Sequence, residues 1–565
     1  MKSLRNVLVV LVILVLGAFL FRSGEKRVVY RGGPVITMDA ERRVVEALGV
    51  RGERIAAVGT EAEVMAWANG DAEVVDLNGR ALLPGFIDAH GHFPGEGIYA
   101  VFADLNSPPI GTMESVDDIV ERMKEQTADT GAGQWVIGMS YDDTLLAEKR
   151  HPTREDLDRV STEHPVALIH ISGHLATVNS KALEELGYDA TTTDPEGGVI
   201  RRDPLGRPDG VLEETAAEPV MAKMVEPGLW GGLAMALEAG RRYTASGTTT
   251  AQSGYAEGGL ISALSWGSRL GLVPVRLVLW PGMEAADEML EDGAMFESWD
   301  EDWVRIGRIK LIADGSIQGY TGYLSEPYYV PPGDDPGFRG YPRIPKDELR
   351  ERVVRYHEAG LPVAVHGNGD ASIDDILDAF EAANDAKPFG EIGPVIIHAQ
   401  MARDDQLERM AELGAIPSFF VLHTYYWGDR HRDVFMGPER ASRMSPARSA
   451  LDRGLRPTLH ADSPVVPMEP LRIVWSAVNR ISTSGDVIGP GERIEPMEAL
   501  AGVTIDAARQ HFEEDKKGSL EVGKLADLVI LSSSPLDDPE HIDQIGVLET
   551  IIAGQTVYQA NGDFH

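Results

Sequence analysis

Hydrophobic and polar positions form one pattern at the two ends of the chain and another between them. Residues 28–83 carry short apolar runs bounded by Gly, Asp and Asn, as in VVEALGVRGERIAAVG. The same pattern returns near the C-terminus in GSLEVGKLADLVILSSSPL and VLETIIAGQTVYQANGDF. Such runs are typical of short β-strands joined by turns. Because neither end has enough strands to bury a core alone, the pattern predicts that residues 28–83 and 500–565 pair into a small composite β-sandwich.

Between the two ends, apolar strands alternate with amphipathic helices. This alternation is typical of βα units in a parallel barrel or sheet. The predicted strands lie at residues 85–90, 247–252, 274–280, 308–314, 362–367, 394–400, 416–421 and 456–462. Eight strands in this arrangement predict an α/β fold in which residues 84–499 form a (β/α)8 TIM-like barrel.

The interval between the first two predicted strands is too long for one βα unit of ~31 residues. It contains apolar runs of its own, QWVIGMSY and PVALIHISGH. We therefore expect a large insert after strand 1, residues 93–245, folded as a subdomain. Because inserts after barrel strands emerge on the face where active sites form, we expect it to cap the site.

The N-terminal segment, residues 1–27, has the composition of a targeting sequence. Basic residues Lys2 and Arg5 precede an apolar stretch from Val7 to Phe21, and further basic residues follow. This is the architecture of a signal peptide, although no clear A-x-A cleavage site is present. The sequence predicts export to a periplasmic or extracytoplasmic location. The chain would either be anchored in the membrane by a transmembrane helix of residues 4–21 or be released after cleavage.

Composition excludes several classes of protein and site. The 89 acidic residues outnumber the 52 Lys and Arg, which gives a formal net charge of −37. A surface of this charge repels phosphates, so we expect no nucleic-acid partner. The chain has no cysteine, which excludes disulfides, thiolate metal sites and cysteine nucleophiles. Any metal must be bound through His, Asp, Glu or a modified lysine.

Side chains that can bind metal lie in or just after the predicted barrel strands. They are His90 and His92 on strand 1, Lys310 on strand 4, His366 on strand 5, His398 on strand 6 and Asp462 on strand 8. Because the carboxyl ends of barrel strands converge on one face, these residues are expected to share a site, and their nitrogen and oxygen atoms suit Zn²⁺. A bare ammonium is costly inside a barrel. Addition of CO₂ to Lys310 would give a carbamate that can bridge two ions; the alternatives are an ion pair with Asp314 or an ammonium that extends from the strand to water.

Eight motifs, taken in order, give the chain a resemblance to a known family. They are LLPGFIDAHGHF, HPTREDLD, SGHLATVNSKAL, IKLIADGSIQGYT, VAVHGNGD, VIIHAQ, HADSPV and GSLEVGKLADLVIL. The chain resembles the metal-dependent amidohydrolase superfamily, specifically the YtcJ-like (amidohydrolase 3) group that includes N-substituted formamide deformylase. The resemblance covers nearly everything after Val28. The stretch DGSIQGYTGYL departs from the commoner family form, which leaves the substrate open.

The resemblance implies a site and an activity. The four strand-end histidines would bind one or two divalent ions, with Zn²⁺ the first choice, and Asp462 would be both a ligand and the general acid/base. Lys310 matches the lysine that is N6-carboxylated in binuclear relatives. The implied activity is hydrolysis of a non-peptide C–N bond in a small-molecule, amide-type substrate by metal-activated water.

Four further side chains are candidate substrate contacts, and three alternative functions stay open. The side chains are His174, Trp135, Tyr141 and His423, each with ordinary packing as the alternative. The alternative functions are a mononuclear deaminase, an esterase or lactonase on the same scaffold, and a non-catalytic, membrane-anchored binding protein. A monomer and a homodimer are both compatible with the sequence.

Overall fold

The computed structural model describes residues 26–560, apart from 129, 132, 174, 196–197, 226–227 and 293–298. The strands are β1 (Arg27–Ile36), β2 (Val44–Arg51), β3 (Arg54–Gly59), β4 (Glu73–Asp76), β5 (Ala81–Pro84), β6 (Phe86–Ile87), β7 (Ala103–Asp104), β8 (Val136–Tyr141), β9 (Val166–His170), β10 (Leu175–Val178), β11 (Gly198–Arg202), β12 (Pro208–Glu214), β13 (Thr248–Ala256), β14 (Arg276–Pro281), β15 (Val304–Ile306), β16 (Ile309–Ile312), β17 (Val363–Gly367), β18 (Val395–His398), β19 (Ile416–Phe419), β20 (Thr458–Leu459), β21 (Leu528–Leu531), β22 (Val547–Ile552) and β23 (Gln555–Gln559).

The α-helices follow the same chain order. They are α1 (Glu61–Ala68), α2 (Val116–Ala128), α3 (Arg154–Asp158), α4 (Ser180–Leu186), α5 (Glu218–Val225), α6 (Gly228–Ala245), α7 (Gly258–Arg269), α8 (Met283–Asp292), α9 (Lys346–Glu358), α10 (Asp370–Ala386), α11 (Asp404–Leu413), α12 (His423–Arg430), α13 (Gly437–Ala441), α14 (Ala447–Asp452), α15 (Pro470–Asn479), α16 (Pro496–Gly502) and α17 (Ile505–Gln510). Short 3₁₀ turns lie at Gly95–Ala100, Pro490–Glu492 and Pro539–Gln544, and a π-helical turn lies at His431–Phe435.

The chain divides into two compact units. Unit 1 contains the residues up to Phe93 together with Gly240–Ser463 and those from Met468 onwards. Unit 2 contains Pro94–Ala239 and Pro464–Pro467. Each unit has its own sheets and its own buried hydrophobic clusters.

In unit 1, strands from both ends of the chain form one eight-stranded sheet. Its order is β23-β22-β21-β5-β1-β2-β3, with β4 paired to β1. The antiparallel pair β5 and β21 joins the two ends, and Leu82 lies opposite Ile530. All residues of these two strands are buried, as expected for strands in the middle of a sheet with apolar cover. The predicted pairing of the ends is therefore present as a single sheet, while the two-layer sandwich stays a prediction.

The remaining strands of unit 1 are parallel and give a TIM-barrel-like α/β arrangement. One sheet has the order β15-β14-β13-β6, and a second has the order β16-β17-β18-β19-β20. Each of the eight predicted barrel strands overlaps one of these observed strands. The fourth predicted strand contains Ile309–Ile312, which pairs with β17. A separate strand that was not predicted, Val304–Ile306, precedes it and pairs with β14. A hydrogen bond from the Asp462 N–H to the His90 carbonyl links the regions after β20 and β6; a closed barrel stays a prediction.

Unit 2 is built on a six-stranded sheet with apolar residues on both faces. Its order is β11-β12-β10-β9-β8-β7, in which β7, β8 and β9 are parallel. Alternate residues of β8 and β9 enter different clusters: Ile137 and Ile169 belong to one, Val136 and Leu168 to the other, because side chains alternate across a strand. The predicted strands at 134–141 and 165–174 correspond to β8 and β9. That this unit caps an active site stays a prediction.

The prediction of a transmembrane helix is wrong for the part of the chain that the structure describes. None of the helices there is both long enough and apolar enough to cross a membrane. Residues 4–21, from which the helix and the signal peptide were predicted, lie outside the described residues.

Candidate metal centre

The ends of β6 and β20 bring two histidines and a carboxylate together. The Nε2 atoms of His90 and His92 each lie 3.3 Å from Oδ1 of Asp462. One potential ligand atom from each of the three residues falls within 4.8 Å of the others. His90 is buried, whereas 41% of the His92 side chain is exposed. The strand ends therefore fix the positions of these three residues, and solvent can reach the group at His92.

A second pair of histidines approaches the other oxygen of the same carboxylate. His366 lies in β17 and His398 ends β18. Nδ1 of His366 is 3.1 Å from Nε2 of His398, and that Nε2 atom is 3.8 Å from Oδ2 of Asp462. Asp462 thus lies between two histidine pairs, which is an arrangement suited to one or two divalent ions.

Backbone carbonyls determine which ring nitrogens are available as ligands. Nδ1 of His92 lies 2.8 Å from the Gly254 carbonyl, and Nε2 of His366 lies 3.1 Å from the Gly315 carbonyl. A carbonyl only accepts, so these nitrogens carry the hydrogen. The lone pairs of His92 Nε2 and His366 Nδ1 are left facing the site. Hydrogen bonding of the distal nitrogen is the usual support of a metal-binding histidine.

His460 supports the site in a way that the sequence did not distinguish from packing. Its Nε2 atom is 3.2 Å from Nδ1 of His398, and its Nδ1 atom is 3.0 Å from Oγ of Ser418. His460 therefore orients the His398 ring so that Nε2 faces Asp462. The available signal was its position two residues before Asp462, since alternate strand residues face the same way.

Lys310 lies inside the group, beside His90. Its Nζ atom is 3.1 Å from Nε2 of His90, and the side chain is buried. Burial lowers the pKa of Lys310 to about 7, with Asp462 acting in the opposite direction. A large fraction of the amine is therefore unprotonated at neutral pH, and this is the form that can react with CO₂.

Asp314 does not form the ion pair with Lys310 that was one of the alternatives from sequence. Its carboxylate accepts hydrogen bonds from the backbone N–H groups of Tyr323, Asn368 and Gly369. Asn368 in turn donates its side-chain amide to the Gly315 carbonyl, which also receives the His366 ring. Asp314 thus holds the loop that orients His366, a role that only the folded chain reveals.

The electrostatic state of the group matches that of a metal-binding site. Burial lowers the pKa of His366 to about 3 and those of His90 and His398 well below the usual histidine value. These imidazoles are therefore neutral. Burial by itself would raise the pKa of Asp462, but its contact with His92 and the neighbouring rings of His90 and His398 hold the pKa well below its usual value. Neutral imidazoles and an ionised carboxylate are the forms that bind Zn²⁺, so the donor set fits a divalent ion.

Two of the candidate ligands adopt a left-handed backbone. The φ angles are +69° at His398 and +54° at Asp462. For a residue other than glycine this conformation costs roughly 1–3 kcal/mol, and such residues concentrate at functional sites. The strain here aims both side chains into the group.

The candidate substrate contacts fall in different places. His423 begins α12 in unit 1, with its ring 6.3 Å from that of His398. In unit 2, Trp135 packs against a hydrophobic cluster, and Tyr141 is fully buried with its hydroxyl 2.9 Å from Thr177 Oγ1. Burial favours the packing alternative for Tyr141. His174 lies outside the described residues.

Comparison with known proteins places the chain among metal-dependent hydrolases. Residues 73–558 match the profile of the amidohydrolase family Amidohydro_3. N-substituted formamide deformylase of Arthrobacter pascens is 31% identical over 549 residues, which are 94% of this chain and 97% of that protein. Putative amidohydrolase YtcJ of Bacillus subtilis is 28% identical over 94% of this chain and 99% of its own length. An uncharacterised metal-dependent hydrolase from Pyrococcus furiosus superposes with a TM-score of 0.71 at 29% identity, over 90% of this chain and 100% of that one.

Proposed function

The chain belongs to the amidohydrolase family and is a hydrolase of carbon–nitrogen bonds other than peptide bonds, and from this premise we propose that it cleaves small amide-type substrates with one or two Zn²⁺ ions held at the barrel strand ends. The observation that carries the proposal is the position of Asp462, whose two carboxylate oxygens face two histidine pairs. The expected export of the chain and its assembly as a monomer or homodimer stay predictions.

The residues divide into two ligand groups. His90, His92 and Asp462 would hold one ion, and His366 with His398 would hold a second. Lys310, as an N6-carboxylate, would bridge the two groups. This role of Lys310 is supported by the 3.1 Å contact of its Nζ atom with His90 and by the lowered pKa of its amine. When bound, such ions polarise a substrate carbonyl and make water more acidic.

Asp462 would move the proton. It is ionised and held by His92 and His90, so it can accept a proton from the attacking water as the C–O bond forms. It would return this proton to the leaving nitrogen as the C–N bond breaks. Water is thereby divided between the acyl product and the amine, and no side-chain nucleophile is required.

The substrate class rests on the relatives. N-substituted formamides are the first class to test, because the formamide deformylase matches almost the whole chain. Two imidazolonepropionases from streptococci match a shorter region, 34% of this chain, and favour adding cyclic amides. An N-substituted formamide, an N-acyl amine, a lactam and an ester therefore form the test panel.

The test combines metal analysis with this panel. We expect purified protein to contain one or two equivalents of zinc and to hydrolyse at least one C–N substrate. Asp462→Asn is expected to lower kcat by at least ~10²–10⁴-fold, the range for loss of a general acid/base. Asp347→Asn, at a carboxylate on α9 whose side chain is 90% exposed, is the matched control and should behave like the wild type.

Each contrary result points to a different alternative. Wild-type kcat in Asp462→Asn would remove the proton-transfer role. Hydrolysis of the ester alone would favour the esterase or lactonase alternative, and ammonia release from an amino-substituted ring would favour a deaminase. A metal-loaded protein inactive on the whole panel would favour a binding protein.

A further inference from the structure

Unit 2 contains a group of metal-binding side chains that the proposed hydrolysis does not use. The parallel strands β8 and β9 are neighbours, and Tyr141 pairs with His170 where they end. Asp142 and Asp143 follow β8 directly, and His170 ends β9. Potential ligand atoms of Asp142, Asp143 and His170 all lie within 4.8 Å of one another. The topology therefore brings two carboxylates and an imidazole to one point.

His151, just before α3, completes the group on the other side of Asp143. Nε2 of His170 is 3.1 Å from Asp143 Oδ1, and Nε2 of His151 is 3.7 Å from Asp143 Oδ2. The two imidazole rings are 5.7 Å apart. We call Asp142, Asp143, His151 and His170 the unit 2 cluster.

The other ring nitrogen of each histidine has a hydroxyl partner. Nδ1 of His151 is 3.0 Å from the Tyr141 hydroxyl, which is 2.9 Å from Thr177 Oγ1. If the tyrosine donates to Thr177, it accepts the Nδ1–H of His151 and leaves the Nε2 lone pair towards Asp143. Nδ1 of His170 is 2.8 Å from Ser172 Oγ and accepts the backbone N–H of Ser172 at 3.1 Å, so coordination through Nε2 would require the other tautomer, in which Nδ1–H is donated to Ser172 Oγ. Such partners are what fix the tautomer of a metal-bound histidine.

The surroundings suit an ion held by protein atoms alone. The side chains of His151 and His170 are each 13% exposed and that of Asp143 is 19% exposed, so the cluster is largely shielded from water yet not sealed. Burial is the main cause that lowers the pKa of His151 to about 4, and its imidazole is neutral at pH 7. Two imidazoles and two carboxylates supply four nitrogen and oxygen ligands, which is the number that a tetrahedral Zn²⁺ site uses.

We propose that the unit 2 cluster binds a divalent cation of the Zn²⁺ type, in a structural site that shares no ligand with the barrel strand ends. The ion would join the end of β8, the end of β9 and the residues that lead into α3. It would thereby tie down the loop of residues 142–151. The competing interpretation is a metal-free cluster in which Asp143 accepts a hydrogen bond from each imidazole.

Asp143→Asn separates the two interpretations. The amide keeps the size of the side chain and an oxygen that accepts hydrogen bonds, but it is a much weaker metal ligand than a carboxylate. Full-length wild type and variant would be loaded with Zn²⁺, dialysed and analysed for zinc. We expect the variant to contain one equivalent less than the wild type. A metal-free cluster predicts equal zinc contents, and that result would overturn the proposal.

Two comparisons keep this result independent of the catalytic metal. His164→Ala removes a histidine of the same unit whose Nδ1 contacts only the Gln134 carbonyl among the described contacts, and it should keep the wild-type zinc content. His92→Ala should lower zinc at the barrel ends but retain the unit 2 equivalent. The double variant His92→Ala, Asp143→Asn should then lose that equivalent.

A second measurement covers the case in which Asp143→Asn does not fold. Metal-stripped His92→Ala would be titrated with Zn²⁺ while its thermal unfolding is followed, with His170→Gln added as the second variant. A free Zn²⁺ concentration of about 100 times Kd should raise the Tm of His92→Ala by roughly 5 °C. The Tm of the double variant His92→Ala, His170→Gln should stay unchanged. The same Tm rise in both proteins would reject the cluster as the binding site.

Discussion

At the scale of single residues, Gly254 does two things for the candidate metal centre. Its carbonyl accepts the Nδ1–H of His92 at 2.8 Å. Its missing side chain makes room for His90, because a Cβ at this position would lie 2.6 Å from Cε1 and 3.1 Å from Nδ1 of that ring. Contacts below 3.0 Å are not tolerated without movement, so the size of residue 254 sets the position of His90.

Gly254→Ala should therefore weaken metal binding without unfolding unit 1. The added methyl group displaces the His90 ring from its position beside Asp462, and we expect zinc affinity and kcat to fall by about 10–100-fold, the range for loss of support around a metal ligand. A chelator-competition titration measures the affinity. Gly259→Ala is the control, since a Cβ there meets no atom within 4 Å. Equal zinc affinity in the two variants would show that His90 adjusts freely.

The residues of the candidate site that lie at strand ends were predictable from the sequence. These side chains lie in or just after the carboxyl ends of apolar strands, and parallel topology brings such ends together: His90, His92, His366, His398 and Asp462. Gly254 and Asn368 could not be assigned in this way. Their roles depend on contacts between neighbouring strands and loops, and no spacing within one strand encodes those contacts.

At the scale of elements, the eight apolar runs of the barrel were predictable because each is a short buried strand bounded by turns. The interruption between β15 and β16 was not predictable from the sequence. There Arg308 is buried and donates to the carbonyls of Gln510 and Gly393, 202 and 85 residues away. Hydrogen bonds from a buried guanidinium to such distant residues do not change the local hydrophobic pattern of the sequence.

An ion pair between elements joins the parallel strands of unit 1 to the terminal sheet. Arg276 of β14 donates from Nε to Asp527 Oδ2 at 2.6 Å and from Nη2 to Oδ1 at 3.0 Å. Both side chains are buried. Burial by itself would raise the pKa of Asp527, but the guanidinium outweighs burial and holds the pKa below its usual value. Removing one partner of such a pair leaves a buried charge, which costs about 3–5 kcal/mol.

The Asp527 carboxylate should make unit 1 sensitive to acid. Its pKa is lower in the folded chain than in the unfolded chain, so its stabilisation is complete above the unfolded value of about 3.9 and is lost as pH falls through the folded value. Asp527→Asn should lower the urea midpoint strongly at pH 7, and the difference from wild type should shrink below pH ~4. A difference that is the same at both pH values would assign the effect to packing. Asp347→Asn, whose exposed carboxylate pairs with Arg350, should change stability by less than ~0.5 kcal/mol.

At the scale of the whole molecule, acidic side chains greatly outnumber basic ones. The net charge of −37 comes from 89 acidic and 52 basic side chains. Many basic groups already pair with carboxylates, as Arg159 does with Asp117 and Lys26 does with Glu73. Exposed pairs of this kind contribute only ~0–1 kcal/mol each. The unpaired carboxylates repel one another over the whole surface, and this repulsion opposes the compact state.

Salt should therefore stabilise the protein at neutral pH. Raising NaCl from about 0.01 M to about 1 M shortens the Debye length from ~30 Å to ~3 Å, which screens the net repulsion more than it weakens the paired charges. We expect the Tm of zinc-loaded protein to rise by several degrees at pH 7. The same titration near pH 4.7, the isoelectric point of the sequence, is the internal control, since the net charge there approaches zero. A Tm that falls with salt at pH 7 would mean that ion pairs outweigh the repulsion, and an equal rise at both pH values would indicate a general effect of salt on hydrophobic burial.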